Sequence, residues 1–344
     1  MLPTKKSHSE EKTRLHPRNR HRERYDFKRL VQHCTELAPF VKPNIYNNES
    51  IDFANPEAVK MLNTALLKLY YELQYWDIPA GYLCPSVPGR ADYIHYAAEL
   101  LARSNYGKVP TGPRVNCLDI GVGANCIYPI IGSYEYGWRF IGTDIDPNAI
   151  ESAQKNIACN DRLKSKVECR LQPNPADMFY GVIQKEEIFD LVFCNPPFHA
   201  SLENAQTETL RKMSNLAQEK VTTPIKNFGG QGGELWCEGG EEKFVRAMVR
   251  QSRQFMRSIF WFSSLVAKKS HLQGIYEELR TAKAVNVKTI PMGQGNKSSR
   301  VVAWTFLTAV EQKEWRDGRW NAAASTKENR SEGAISISLG MENK

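Results

Sequence analysis

Four consecutive residues, Asn195-Pro196-Pro197-Phe198, have the types and order needed for a specific kind of chemistry. Adjacent prolines stiffen the backbone and remove N–H donors, which leaves the local carbonyls free to accept hydrogen bonds. The Asn195 side-chain oxygen and the Pro196 carbonyl can then hold the N–H groups of an exocyclic amine on a planar ring. Such an amine is a weak nucleophile, because its lone pair is delocalised into the ring. Acceptors on its N–H groups draw the nitrogen towards tetrahedral geometry and free the lone pair for in-line attack on an activated methyl group. Phe198 can stack on the ring, an interaction worth about 1–3 kcal/mol per base. No general base is required at the outset, since the amine becomes acidic as it gains the methyl. Taken alone, the same four residues could also be a plain strand-ending turn, so the elements around them decide.

A second set of residues supplies a ligand site. Asp119-Ile120-Gly121-Val122-Gly123-Ala124-Asn125 follows the apolar run Val115–Ile120, and its glycines allow positive φ and a close approach of backbone to ligand. The next apolar run, Arg139–Asp144, ends in an acid about twenty residues further on, where a carboxylate can accept both ribose hydroxyl groups. Together these features favour an adenosine-containing ligand. A dinucleotide site carries a third glycine where this chain has Cys126, so a cofactor without phosphates fits better than a pyrophosphate. Asp146-Pro147 reads as a helix N-cap followed by proline at the first helical position.

The elements that must position these residues follow from the hydrophobic rhythm. From Leu30 to Arg103 the apolar spacing is helical, interrupted at Pro79–Gly89 and resuming from Ala91 to Ala102; this predicts a helical cap over residues 30–105. Short apolar runs then alternate with helix-length segments through Phe189–Cys194 and Ser258–Val266, the pattern of a parallel sheet with crossover helices. Val285–Pro291 and Arg300–Thr308 read as an edge hairpin joined through residues 292–299. Residues 106–320 thus form the expected catalytic domain. The long connection 199–242, glycine-rich at Gly229-Gly230-Gln231-Gly232-Gly233, leaves the catalytic edge as a substrate loop. Residues 1–29 and 321–344 read as disordered tails.

Composition narrows the partners. The net charge is +8, yet residues 1 to 30 hold ten Lys or Arg against four Asp or Glu, so most of the excess lies in the N-terminal tail. Such a tail is either a solvated extension or a phosphate-seeking arm. Lys243, Arg246, Arg250, Arg253 and Arg257 recur at helical spacing opposite an apolar face, a stripe that is either solvated or RNA-binding. With the basic tail and with Lys297 and Arg300 on the hairpin, phosphate contact is the favoured reading of Lys243, Arg246 and Arg250. Eight cysteines without any CxxC pair, and without histidines at ligand spacing, read as reduced packed thiols with no metal; Cys194 reads as a packed strand residue rather than a nucleophile. The longest apolar stretch, Ile259 to Ala267, is far too short to span a bilayer, and no secretory signal opens the chain, so a cytoplasmic location without membrane contact is expected.

The glycine turn and Asp144 resemble motifs I and II of class I S-adenosylmethionine-dependent methyltransferases. Asn195-Pro196-Pro197-Phe198 resembles motif IV of amino-methyltransferases, which act on exocyclic amines of adenine, cytosine and guanine and on the glutamine side-chain amide. The segment Gly81–Tyr96, and Gly295–Trp304 with it, closely resembles the bacterial enzymes that methylate adenine N6 in 23S ribosomal RNA, with similarity from about Phe27 to Leu307. That family includes a eukaryotic enzyme acting on a small nuclear RNA. The resemblance implies an α/β, Rossmann-like fold with a mostly parallel seven-stranded sheet, an antiparallel edge hairpin and an N-terminal helical cap. It implies S-adenosyl-L-methionine as cofactor, held by Asp119, Gly121, Gly123, Asn125 and Asp144, with Asp177 near the adenine ring. Arg90 would pair with the cofactor carboxylate, or else be a surface residue at a helix start. Asn195, Pro196, Pro197 and Phe198 would be the catalytic pocket. The implied partner is 23S ribosomal RNA, naked or in an assembling large subunit. Methylation of guanine N2 or of protein glutamine, and an RNA-binding module without turnover, remain alternatives.

Overall fold

The computed structural model describes residues 14–199, 201, 236–294 and 297–321. The helical N-terminal part comprises α1 (Phe27–His33), a two-strand ribbon of β1 (Lys42–Pro43) and β2 (Glu49–Ser50), α2 (Pro56–Tyr71) and α3 (Val87–Ser104). Then follow β3 (Asn116–Ile120), α4 (Ile127–Tyr136), β4 (Arg139–Asp144), α5 (Pro147–Ala158), α6 (Asp161–Lys164), β5 (Val167–Leu171) and β6 (Phe189–Cys194). The chain continues through α7 (Gly240–Ser252), β7 (Ile259–Val266), α8 (Leu272–Thr281), β8 (Asn286–Gln294), β9 (Lys297–Thr305) and α9 (Ala309–Trp315).

Seven strands form one sheet in the order β5-β4-β3-β6-β7-β9-β8. The first five run parallel, and β9 pairs antiparallel with both β7 and β8. Every residue of β6 and β7 is buried, as expected of central strands covered on both faces. Leu191 and Phe193 of β6 face a cluster built with α2, α3, α4 and α5, while Val192 and Cys194 face a second cluster with α7 and α8. This is the expected class I fold. Register levels the strand ends: Ile120 lies opposite Thr143 on one side and Cys194 on the other. The turns after β3, β4 and β6 therefore open along one edge of the sheet, the edge where open α/β folds bind ligands.

Three details depart from the sequence reading. The β8–β9 ladder continues to Gln294 opposite Lys297, so the hairpin turns within two residues rather than across residues 292–299. Helix α3 begins at Val87, four residues before the expected Ala91, because proline is tolerated in a first turn. The largest departure is in the basic tail: its residues 14–26 are packed, with Leu15, His16, Asn19 and His21 buried. Asp92 on α3 accepts from the His16 amide at 2.9 Å and from Asn19 Nδ2 at 2.5 Å, and Asn19 also donates to the Pro88 carbonyl at 2.9 Å. His21 Nε2 meets the Tyr71 hydroxyl at 2.9 Å. Two arginines help to tie this charge-rich segment down: Arg18 donates to the His95 carbonyl at 3.2 Å and Arg20 pairs with Glu135 at 2.7 Å. Residues 1–13, and the expected C-terminal tail from 322 on, lie outside the described residues.

The opposite edge of the sheet is closed by residues the sequence reading left unassigned. Asp190, fully buried at the start of β6, accepts from the Asn116 amide at 2.7 Å and from the indole nitrogens of Trp315 at 2.7 Å and Trp320 at 2.8 Å. Arg319 adds Nη2 at 3.0 Å and Nε at 3.2 Å. One carboxylate thus anchors the C-terminal helical segment to the two central strands.

Replacing Asp190 with Asn removes the charge that Arg319 and both indoles address, and should lower unfolding free energy by about 2 kcal/mol in denaturant titration. Asp92 gives a pH-dependent test. Burial raises its carboxyl pKa from 3.8 to about 6, so the folded state holds the proton more tightly than the unfolded chain does. Its contribution to stability is therefore present at low pH and is lost as pH rises from about 4 to about 6. Asp92→Asn keeps an acceptor for His16 and Asn19 without the charge. Relative to wild type it should gain on the order of 2 kcal/mol between pH 4 and pH 7, read from paired unfolding curves.

Candidate active site

The turn after β3 is folded onto the end of β4. Gly121 and Gly123 adopt φ of 76° and 61°, the left-handed region that glycine enters without a Cβ clash. The Thr143 carbonyl accepts from the amides of Gly121 at 2.8 Å and Val122 at 2.9 Å, and Asp144 Oδ2 accepts from the Gly123 amide at 2.9 Å. Asp144 Oδ1 accepts from the Asp146 amide at 3.1 Å. Burial raises the Asp144 pKa and these amides oppose the rise, so the carboxylate is held as an oriented acceptor. Asp146 caps α5 as expected, with Oδ1 accepting from the Asn148 amide at 2.9 Å, and its Oδ2 also accepts from the Tyr82 hydroxyl at 2.6 Å.

Asp119 lies beneath this turn, fully buried, with neither carboxylate oxygen hydrogen-bonded among the described residues. Burial, with the nearby Asp144 charge, pushes its pKa well above the usual carboxylate range, and the Arg90 charge opposes that shift. Arg90, in the first turn of α3, is half-buried; its Nη1 donates to the Tyr128 hydroxyl at 3.0 Å and its guanidinium lies 5.6 Å from the Tyr128 ring centroid. Arg90 is thus engaged with Tyr128 at the start of α3. An unpartnered buried acid, an adjacent guanidinium and a half-exposed ribose-type acid form a donor and acceptor set suited to the amino, carboxylate and ribose groups of a nucleoside amino-acid cofactor.

Two expected cofactor residues have side chains that bond to the protein itself. The Asn125 side chain works inside the protein: Oδ1 accepts from the Ile127 amide at 3.1 Å, and Nδ2 donates to the Leu83 carbonyl at 3.4 Å. With Trp76 Nε1 donating to the Asn125 carbonyl at 2.9 Å, it pins the Pro79–Gly89 segment over the glycine turn. Asp177 lies in the loop after β5, where Oδ2 accepts from Asn174 at 2.7 Å and Oδ1 from Gln251 at 3.5 Å. The sequence reading missed Ile145 and Leu171. Both are 46% exposed at the ends of β4 and β5, next to Asp144 and opposite it in register, and they offer an apolar wall for a flat ring. The signal was an apolar residue directly after a strand-ending acid. Tyr128 was missed too, because its role depends on α4 passing under Arg90.

At the end of β6, Pro196 is buried and Asn195, Pro197 and Phe198 are half-buried. Asn195 Oδ1 is buried and has no hydrogen-bond partner among the described residues. A buried amide oxygen left unsatisfied costs about 1–3 kcal/mol, so this acceptor is suited to a donor that arrives with a ligand. Cys194, directly before it, is fully buried and its thiol pKa is raised by that burial, which fits a packed strand residue. His199 bridges to Trp236, and the Cys237 amide donates to the His199 carbonyl at 3.1 Å. The expected substrate loop therefore starts and ends beside Phe198, although residues 202–235 lie outside the described residues, and its last residues, from Gly240, already belong to α7.

The basic stripe on α7 is not a free phosphate surface. Lys243 pairs with Glu238 at 2.6 Å, Arg250 with Glu278 at 2.7 Å, and Arg246 with both Glu278 at 3.2 Å and Glu242 at 3.9 Å. Lys243, Arg246 and Arg250 line a hollow of about 220 Å³ with Glu242, and Glu238 and Glu278 pair with these cations beside it. The pattern of one helix could not reveal the acids contributed by α8 and the preceding turn. Arg300 is half-buried on the catalytic edge and donates to the Ala267 carbonyl at 3.2 Å; Lys297 sits beside the hairpin turn, its side chain outside the described residues. A cavity of about 660 Å³ opens at the other end of the strands, among Asn116, Arg139, Lys166 and Glu187, away from all of these groups.

If Asp144 holds the ribose, Asp144→Asn should weaken cofactor binding by roughly tenfold to a hundredfold in calorimetry, as expected for losing about 1.5–3 kcal/mol of charge-assisted hydrogen bonding. Comparison with known proteins then bears on the whole chain. A family profile described as RNA methyltransferase matches residues 9–308. The ribosomal RNA large subunit methyltransferase F of Cytophaga hutchinsonii is 56% identical over 316 residues, covering 92% of this chain and 98% of that one. The protein of the same name from Yersinia enterocolitica is 54% identical over 320 residues, covering 93% and 96%. Among solved structures, the catalytic domain of human METTL16 in complex with a MAT2A 3′UTR hairpin aligns with a TM-score of 0.71 at 31% identity, covering 85% of this chain and 96% of that one. The N-terminal domain of human METTL16 in complex with S-adenosylhomocysteine (SAH) aligns at 0.68 and 29%, covering 86% and 99%. With an amine-accepting turn and a nucleoside-type pocket on one edge of a class I sheet, and a profile match over most of its length, the chain belongs to the RNA methyltransferase family.

Proposed function

We propose that this protein transfers a methyl group from S-adenosyl-L-methionine to the exocyclic N6 of one adenine in 23S ribosomal RNA. The observation that carries this reading is the buried, unpartnered Asn195 oxygen at the end of β6, on the same sheet edge as the glycine turn and Asp144. The names of the 52–56% identical relatives support ribosomal RNA of the large subunit as substrate, and the resemblance of Gly81–Tyr96 supports adenine N6. S-adenosylmethionine supplies an electrophilic sulfonium methyl.

The chain's residues do the rest. Asp119 and Arg90 address the cofactor's amino and carboxylate groups, Asp144 its ribose, and Ile145 its adenine. Asn195 Oδ1 and the Pro196 carbonyl accept from the target amine, so its lone pair is directed at the methyl rather than into the ring. Phe198 stacks on the base, and Pro197 keeps the turn rigid. A paired adenine hides its N6, so the substrate is a loop adenine or one turned out of a helix. Phosphate contact falls to the exposed Arg24 of the packed N-terminal segment, with Arg300 and Lys297 on the hairpin. In this reading residues 106–320 carry the chemistry under the 30–105 cap, with 199–242 contacting substrate, and the enzyme works in the cytoplasm where ribosomal RNA is its substrate.

Mass spectrometry of nucleosides from 23S ribosomal RNA of cells lacking the protein should show the loss of one N6-methyladenosine. Complementation with Asn195→Ala should fail to restore it, with turnover reduced about a hundredfold or more and cofactor affinity retained. Cofactor radiolabel appearing in protein or in methylguanosine would overturn the assignment, and full restoration by Asn195→Ala would favour an RNA-binding module.

A further inference from the structure

The ladder between β6 and β7 stops before the catalytic turn. The two strands pair at Phe189 with Ile259 and at Leu191 with Trp261, and continuing that register would bring Phe193 opposite Ser263. A parallel ladder would there join the Ser263 amide to the Val192 carbonyl and the Cys194 amide to the Ser263 carbonyl. Side chains take these places instead. Ser263 Oγ donates to the Val192 carbonyl at 2.6 Å, and the Tyr93 hydroxyl, reaching down from α3, meets Ser263 Oγ at 2.8 Å. The Cys194 amide donates to the Tyr93 hydroxyl at a long 3.5 Å. A serine hydroxyl has one proton, and the Val192 carbonyl takes it, so Tyr93 is the donor to Ser263 and its own oxygen is left to accept from Cys194. The result is a directed relay from Cys194 through Tyr93 and Ser263 to Val192, closed around the last residues before Asn195.

We propose that Tyr93 and Ser263 are positioning residues for methyl transfer: their hydroxyls replace the missing ladder where β6 and β7 part, and so fix the height and direction of Asn195 and Pro196. The parting opens the sheet edge for a base, and the relay keeps the opening from loosening the turn. Tyr93 is completely buried, and its ring packs edge-on against Tyr128 at 5.3 Å and Phe193 at 5.1 Å, so its hydroxyl has little freedom to move away. Burial raises its pKa well above that of a free phenol, which keeps the proton the relay requires. Arg90 lies three residues earlier on the same face of α3, so one helix touches both the cofactor pocket and the amine pocket.

This inference rests on the reaction proposed above, and the test separates the two. Tyr93→Phe and Ser263→Ala should each lower the single-turnover methylation rate about tenfold to a hundredfold. Cofactor and RNA affinities should stay at wild-type values, and the double variant should be no slower than either single one. Asp190→Asn, a destabilising change at the opposite edge, should keep the wild-type rate per folded molecule. Independently of any substrate, amide hydrogen exchange at Cys194 and Asn195 should accelerate in Tyr93→Phe while exchange at Gly121 and Gly123 stays unchanged. A wild-type rate in Tyr93→Phe, rate losses that multiply in the double variant, or unchanged exchange at Cys194 would each overturn the positioning role. If the wild-type protein left ribosomal RNA unmodified, the substrate assignment would fail, and the exchange measurement would still decide the relay.

Discussion

Ile120 stands opposite Thr143 in one ladder and Cys194 in another, and the placement of the site depends on that register. It brings three strands to a common level, so that a glycine turn, a ribose-type acid and an amide-type acceptor emerge within one crevice. Side chains alternate faces along a strand, so a one-residue slip would exchange the two hydrophobic clusters and bury Asn195 against the wrong neighbours. The register is protected at both ends. Asp190 gathers Trp315, Trp320, Arg319 and the Asn116 amide at the lower edge, and the hydroxyls of Tyr93 and Ser263 span the upper edge where β6 and β7 diverge.

Two of the polar groups left unsatisfied among the described residues mark where ligands enter. Most buried polar side chains here have partners, including Asn63, Asn156, Asn160 and Glu241. The carboxylate of Asp119 and the oxygen of Asn195 have none among the described residues, and both lie on the catalytic edge. Leaving such groups bare lowers stability, and a fold retains them where a ligand completes the hydrogen bonds. The stiffness of Pro196 and Pro197 serves the same end, since an acceptor that must bend an amine out of plane cannot itself yield.

Much of this was legible in the sequence. Asp119, Gly121, Gly123 and Asp144 declared themselves through strand-ending position and spacing, and β4 and β6 begin and end where the apolar runs do. The illegible parts share a physical cause: they are set by contacts between segments remote in sequence. Arginines in residues 14–26 suggested a free tail, yet the amide of Asn19 and the backbone of His16 find Asp92 far along the chain. The α7 stripe looked basic because Glu278 reaches Arg246 and Arg250 from α8. Asn125 looked like a ligand residue, and only the folded chain shows the Leu83 carbonyl and the Ile127 amide taking its side chain. Spacing reveals what one element presents; it is silent on what another element brings to meet it.

The central claim is that the Asn195 oxygen and the Pro196 carbonyl hold the amine as it is methylated. The most direct measurement is a structure of the protein with its RNA and S-adenosylhomocysteine, read for the distances from the target nitrogen to those two oxygens. Both should lie within about 3.2 Å, with Phe198 stacked on the base. A target nitrogen facing away from Asn195, or an Asn195 oxygen bonded instead to the protein's own backbone, would contradict the account.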